Sequence, residues 1–226
     1  MNNAPPAILS GDDACSPVSI PATKQALLLL DFHSFICASQ PGGGQAPIAQ
    51  AVELRQWAKA QGMMIVHCCI DLKAITPAHR KMSSRANGIR DKMSHASPST
   101  IGEPECIAAS ADEYTFWRPP SHVSALGSYG LRDFLRHYGI ESLILAGFST
   151  SGCVINTAKG AADEGYVVTV VRDACGDKNQ AVHDMVMDTL LIGQCHVTDR
   201  KSLIEAFADA GVATPAANGI EKLSLS

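Results

Sequence analysis

Four uninterrupted apolar runs constrain the fold of this chain more than any other feature. They cover residues 26–31 (ALLLLD), 63–69 (MMIVHCC), 142–147 (SLILAG) and 166–172 (YVVTVVR). None alternates cleanly between apolar and polar side chains. A strand with one wet face alternates, whereas a strand covered on both faces reads as a continuous apolar run. The runs therefore predict the central strands of a parallel sheet. A weaker fifth run lies at 194–197, and none approaches the roughly 20 apolar residues of a membrane span.

Helix-period segments separate the runs. Residues 47–61 open with Pro47, carry Ile48, Ala51, Leu54, Trp57 and Ala58 at helical spacing, and stop at Gly62. Proline suits a first helical turn and glycine a helix end. Comparable patterns cover 126–138, 153–164, 180–191 and 201–210, with glycine at 139, 165, 193 and 211. Strand, helix, glycine, strand is the rhythm of an α/β doubly wound sandwich, a sheet with helices on both faces. Ligands in such sheets lie at the carboxyl ends of the strands. Attention therefore falls on Asp31, on the chain after Cys69 and on residues 147–153. Residues 71–120 break the rhythm. They are polar and rich in Ser, Pro and His, too long for a structureless loop in a compact domain. A short strand near 114–117 and a lid over the strand ends are expected there.

The rest of the chain excludes several classes. A net charge of −4 gives no field favouring nucleic acid or an anionic membrane. Eight cysteines, without a leader-like start and with Cys68 and Cys69 adjacent in an apolar run, read as reduced thiols of a cytoplasmic protein. Residues 1–22 read as a flexible arm, 23–210 as one domain and 211–226 as a loose tail. There is no G-x-G-x-x-G or Walker loop, so the pattern implies no nucleotide.

The sharpest chemical signal is Gly147-Phe-Ser-Thr-Ser-Gly-Cys153-Val, between a strand and a helix. A thiol there meets unpaired backbone N–H groups and the positive end of the helix dipole, which favour thiolate. The same groups can hold an oxyanion. The alternative is an inert buried cysteine. Asp31 ends the first buried strand, where it is either a proton shuttle or a backbone cap. Arg118, in Phe116-Trp-Arg-Pro-Pro, is either a partner for these groups or a solvated surface cation.

ALLLLDFHSF, WRP with SAL downstream, GFSTSGCVINTA and VVTVVRDAC together resemble the isochorismatase-like cysteine hydrolases over about residues 25–200. The T-S-G-C-V form resembles members that cleave carbamoyl and amide bonds, of the N-carbamoylsarcosine amidase, biuret hydrolase and maleamate amidohydrolase type. The resemblance implies a six-stranded, mostly parallel sheet in three layers. It implies a small-molecule C–N substrate, a homodimer or homotetramer, no cofactor, and a catalytic triad. Asp31 matches the base and Cys153 the nucleophile; Arg118 stands at the lysine position. A cis Phe148–Ser149 bond and an oxyanion hole from Ser149 and Cys153 follow by the same pattern. Arginine keeps the charge of lysine but does not shuttle protons. His33, where the family often has Gln, is expected beside Asp31, orienting it. Phe35, Trp117 and His122, with His33, are expected to shape the substrate site. Asp71-Leu-Lys73 stands where the nicotinamidase branch carries an Asp-x-His metal signature, so no catalytic metal is expected. His67, His79, His95 and His122 lack the tight spacing of a zinc site apart from His67-Cys68-Cys69, which lies in an apparent strand and reads as core. Two alternatives remain: an isochorismatase-type vinyl-ether hydrolase, which would need no cysteine, and a catalytically impaired binding protein on the same fold.

Overall fold

A computed structural model describes residues 9–211. Six strands form one sheet: β1 Gln25–Leu30, β2 Met64–Ile70, β3 Tyr114–Arg118, β4 Ser142–Phe148, β5 Val167–Gly176 and β6 His196–Thr198. Their spatial order is β3-β2-β1-β4-β5-β6, and every neighbouring pair is parallel. The continuous apolar runs become β1, β2, β4 and β5, and every residue of β1 and β4 is buried. β3, at the sheet edge, shows the alternating exposure of a half-covered strand.

Period-two alternation splits the strands between two cores. Leu28, Leu30, Val66, Cys68, Leu143 and Leu145 face one side. They pack on Leu131 and Leu135 of α5 (Leu131–His137) and on Ala158 and Ala161 of α6 (Ile155–Asp163). Leu27, Leu29, Ile65, Ile144 and Ala146 face the other. They meet Ala51, Leu54 and Ala58 of α2 (Gln45–Ala60), which follows the one-turn α1 (Ser34–Cys37), and Leu203 and Phe207 of α8 (Arg200–Asp209). The result is the expected three-layer α/β sandwich. Among the described residues no helix is long and apolar enough to cross a membrane.

Several expectations are corrected. The helix over 126–138 is a short 3-10 turn at Ala125–Gly127 followed by α5, because Gly130 adopts a left-handed φ of 76° between them. The helix over 180–191 is α7 (Gln180–Met185) running into a π-helical turn, Val186–Leu190. From residue 9 the arm is not loose. Val18 and Ala22 pack into the second core, and the buried Gln25 amide donates to the carbonyls of Pro17 (2.9 Å) and Ile20 (2.6 Å). Residues 1–8 lie outside the described residues, as does the tail beyond Gly211. The 71–120 segment contains α3 (Ser83–Met93), α4 (Pro98–Ile101) and β3.

The chain leaves β1 to one side, through β2 to β3, and returns on the other side through β4. The order therefore reverses between β1 and β4, and a crevice opens at their carboxyl ends. These ends approach closely. Gly147 pairs with Leu30 at a φ of 142°, and a Cβ there would lie 2.1 Å from the Leu30 carbonyl oxygen. Gly147→Ala is accordingly expected to destabilise the fold by at least about 3 kcal/mol. Urea unfolding checks this; an unchanged midpoint would contradict the close approach.

Candidate active site

Three buried side chains meet in that crevice, each from a different element. Asp31 follows β1 with a positive φ of 54°. Aspartate tolerates this region better than most side chains. Its amide is bonded to the Cys68 carbonyl at 2.9 Å. Arg118 closes β3, where Pro119 and Pro120 remove the donors that would extend the ladder. β3 is separated from β1 by β2, so Arg118 must reach across two strand spacings, roughly 10 Å. A long side chain can do so. Cys153 sits in a single π-helical turn, Thr150–Val154, between β4 and α6. Exposure is 3% for Asp31, 2% for Arg118 and 4% for Cys153.

The guanidinium ties the three together. Arg118 Nη1 donates to Asp31 Oδ1 at 2.7 Å, and Nη2 donates to Oδ2 in a second, shorter bond. Nη2 also donates to Cys153 Sγ at 3.3 Å, and Nε donates to the His122 carbonyl at 2.9 Å. The solvated-surface alternative for Arg118 is thereby removed. Burial alone would lower the guanidinium pKa, but the Cys153 sulfur and the Asp31 carboxylate outweigh it and hold the group above its ordinary value. Its charge is fixed.

Cys153 corrects an expectation. Burial, and then the Asp31 charge, push its thiol up to about 12; Arg118 and Thr157 pull the other way without prevailing. The free protein therefore holds a thiol beside a carboxylate, not a standing thiolate. Asp31 Oδ2 and Cys153 Sγ share Arg118 Nη2 as a donor, which places the carboxylate beside the sulfur. Thr157 helps from behind. Its hydroxyl oxygen accepts the Ala125 N–H at 2.8 Å, which leaves its own proton for Cys153 Sγ at 3.7 Å.

The turn carrying Cys153 is fixed from outside. Asp177 Oδ2 accepts from Ser151 N (2.8 Å) and Ser151 Oγ (2.6 Å), and Thr150 Oγ1 bonds His183 Nδ1 at 2.8 Å. The Phe148–Ser149 peptide bond is cis.

A cavity of about 510 Å³ opens onto these groups. Phe35 and His122 line it, as do Ser149 and Cys153. His33 and Trp117 do not. His33 Nδ1 donates to the Ile101 carbonyl at 2.6 Å and Nε2 accepts the Ile70 N–H at 2.8 Å. It binds the end of β2 to the lid and makes no hydrogen bond to Asp31. Trp117, on the edge strand, is 46% exposed away from the cavity. The lid residues Met82, Arg85, Ile89, Lys92 and Met93 line the cavity and were missed in the sequence. The legible signal was the i, i+4, i+7 spacing of Arg85, Ile89 and Lys92.

His67 is buried, as expected of a core residue, but its Nδ1 lies 2.9 Å from Glu103 and its Nε2 3.3 Å from Glu113. Among the described residues no group of three or more His, Cys, Asp or Glu side chains could hold a metal ion.

Residues 25–202 match the isochorismatase domain model. The chain belongs to the isochorismatase family of hydrolases. A relative in the family is the maleamate amidohydrolase of Pseudomonas putida, 28% identical over 165 residues, covering 71% of this chain and 76% of the relative. A cysteine hydrolase from Pseudomonas syringae superposes with a TM-score of 0.68 at 17% identity, covering 84% of this chain and 95% of that one. An isochorismatase family protein from Burkholderia thailandensis gives 0.67 at 17%, covering 82% and 96%. The structural likenesses show the fold shared within the family.

The protonated Cys153 has a direct readout. Thiolate absorbance near 240 nm, taken as the difference between the wild type and Cys153→Ala, is expected to titrate at about 12. Thr157→Val should move that titration higher, and Thr157→Ser should restore it. A midpoint below about 8.5, the ordinary cysteine value, would contradict the burial argument.

Proposed function

We propose that the protein hydrolyses a C–N bond of a small amide, carbamoyl or ureido compound through a thioester on Cys153. The observation that carries this is the contact set Asp31–Arg118–Cys153 at the floor of a cavity, at the point where the strand order reverses. The similarity to a maleamate amidohydrolase supports an amide as the scissile group.

In the first half-reaction Asp31 accepts the Cys153 proton as sulfur attacks the carbonyl carbon. A carboxylate has about four lone-pair sites, so the bidentate guanidinium leaves room for that proton. Because the thiol is the resting form, deprotonation and attack are coupled, and Asp31 acts as a general base. The tetrahedral oxyanion is held by the backbone amides of Ser149 and Cys153 at the start of α6, where the helix dipole favours negative charge. The C–N bond breaks, the proton on Asp31 passes to nitrogen, and ammonia or an amine leaves. Water then attacks the thioester, giving its proton to Asp31. The S–C bond breaks and Asp31 returns the proton to sulfur. Arg118 stays charged throughout. It fixes Asp31 in line with the sulfur and balances the negative charge that moves between them.

Cys153 is also the observation against vinyl-ether hydrolysis, which needs no nucleophilic sulfur. The guanidinium shared by Cys153 and Asp31 supports catalysis over binding alone.

The test is ammonia release from a panel of small amides and ureido acids. Cys153→Ala is expected to lower turnover at least about a thousandfold, and Arg118→Ala nearly as far. Arg118→Lys should retain measurable turnover, since it keeps a cation beside Asp31. Undiminished release by Cys153→Ala would remove the thioester route, and full activity in Arg118→Ala would remove Arg118 from the mechanism.

A further inference from the structure

The lid helix α3 turns a cationic face to the cavity. Arg85, Ile89 and Lys92 fall at i, i+4 and i+7 and line it together, flanked by Met82 and Met93. Lys178, just beyond the end of β5, lines it too. Unlike Arg118, none of these three cations has a hydrogen-bonded or ion-paired side-chain partner among the described residues. Unpaired cations on a protein surface are ordinary. Three around one cavity, in a chain whose net charge is −4, are not.

The carboxylates in the same wall do not answer them. Asp31 is held by Arg118. Asp177 accepts from Ser151 N and Ser151 Oγ through one oxygen, and from Asn179 N at 3.3 Å through the other. The cavity thus carries an excess of positive charge that no protein group neutralises. An excess of one sign inside a concave site concentrates ligands of the opposite sign.

Anchoring differs along the lid. Its later part is tied to the body by Arg55–Glu113 (2.5 Å) and His67–Glu103 (2.9 Å). α3 itself has no side-chain N-terminal cap, and only Ser83 and Ala86 of it are buried. Few buried contacts mark a segment of low local stability. The element bearing two of the three cations is therefore weakly anchored.

We propose that the substrate of this site carries a carboxylate in addition to its scissile C–N group, and that Arg85 and Lys92 of α3, with Lys178, bind it. The anion would bridge the lid to the loop after β5 while the carbonyl carbon lies over Cys153. Arg85 and Lys92 are then specificity-determining residues with no part in the bond-breaking steps. This inference rests on the cavity being the amide-hydrolase site proposed above.

Binding can be read without turnover. The full chain is titrated calorimetrically with maleate, succinate and acetate, none of which has an amide to cleave, and with the neutral dimethyl maleate. At least one carboxylate is expected to bind at low salt. Its affinity should fall about tenfold or more in the Arg85→Gln/Lys92→Gln double variant, and likewise in about 0.5 M NaCl. Dimethyl maleate should not bind measurably. Both replaced side chains are exposed, so the variant should unfold at the wild-type temperature. With maleamate as substrate, the variant should raise KM at least about tenfold and leave kcat within about threefold. Binding of none of the three carboxylates, unchanged affinity in the double variant, or equal binding of the neutral ester would each overturn the proposal. The hydrolase assignment fails on a different result, undiminished ammonia release by Cys153→Ala, so the two failures are distinguishable.

Discussion

The bidentate ion pair between Arg118 and Asp31 is the interaction on which the site depends. Both charges are removed from water, and a buried charge persists only when paired and hydrogen-bonded. The pair meets that condition with two donors to the carboxylate, one to the Cys153 sulfur and one to the His122 carbonyl. Removing one member of such a pair typically costs about 3–5 kcal/mol, because the other is left buried alone. The pair also joins β3, at the sheet edge, to β1 near its centre. It therefore holds together the strand that ends the lid and the strand that leads into Asp31.

The rest of the geometry follows from topology. Strand order reverses between β1 and β4, so the segments leaving their paired ends part around a crevice lined on one side by Asp31 and on the other by the Thr150–Val154 turn. Gly147 allows the two strands to approach until backbone almost touches backbone. Behind the turn, Asp177 and His183 hold Ser151 and Thr150, so the sulfur is presented by a braced segment. Preorganisation of this kind favours attack, since the reacting groups need not be ordered during the reaction.

Much of this was legible in the sequence. Continuous apolar runs reported the strands buried on both faces, and glycines after the helical segments marked most of the helix ends. Asp31 and Cys153 stood out because each follows a buried strand. What could not be read depends on contacts distant along the chain. His33 was expected to orient Asp31, yet its partners are the Ile101 carbonyl and the Ile70 amide, set by the path of the lid. The apolar stripe of α3 is thin, with Ala86, Ile89 and Met93 among mostly polar residues, so its helical period was easily passed over. The thiol of Cys153 was misjudged because helix-dipole reasoning is local. The burial and the Asp31 charge that hold its proton come from the tertiary fold.

A protonated resting thiol places the demand on Asp31. In the proposed mechanism, sulfur becomes a strong nucleophile only as its proton moves to the neighbouring carboxylate, so the chemistry waits for a carbonyl to be in place. That arrangement also keeps the sulfur less reactive toward stray electrophiles. The proposed mechanism requires that the sulfur become acylated. The most direct measurement is intact and peptide mass spectrometry of the protein quenched in acid during turnover of a substrate. An adduct with the mass of the acyl portion is expected on the peptide containing Cys153. Rapid turnover with that peptide never modified, and with the acyl group found on another side chain, would contradict it.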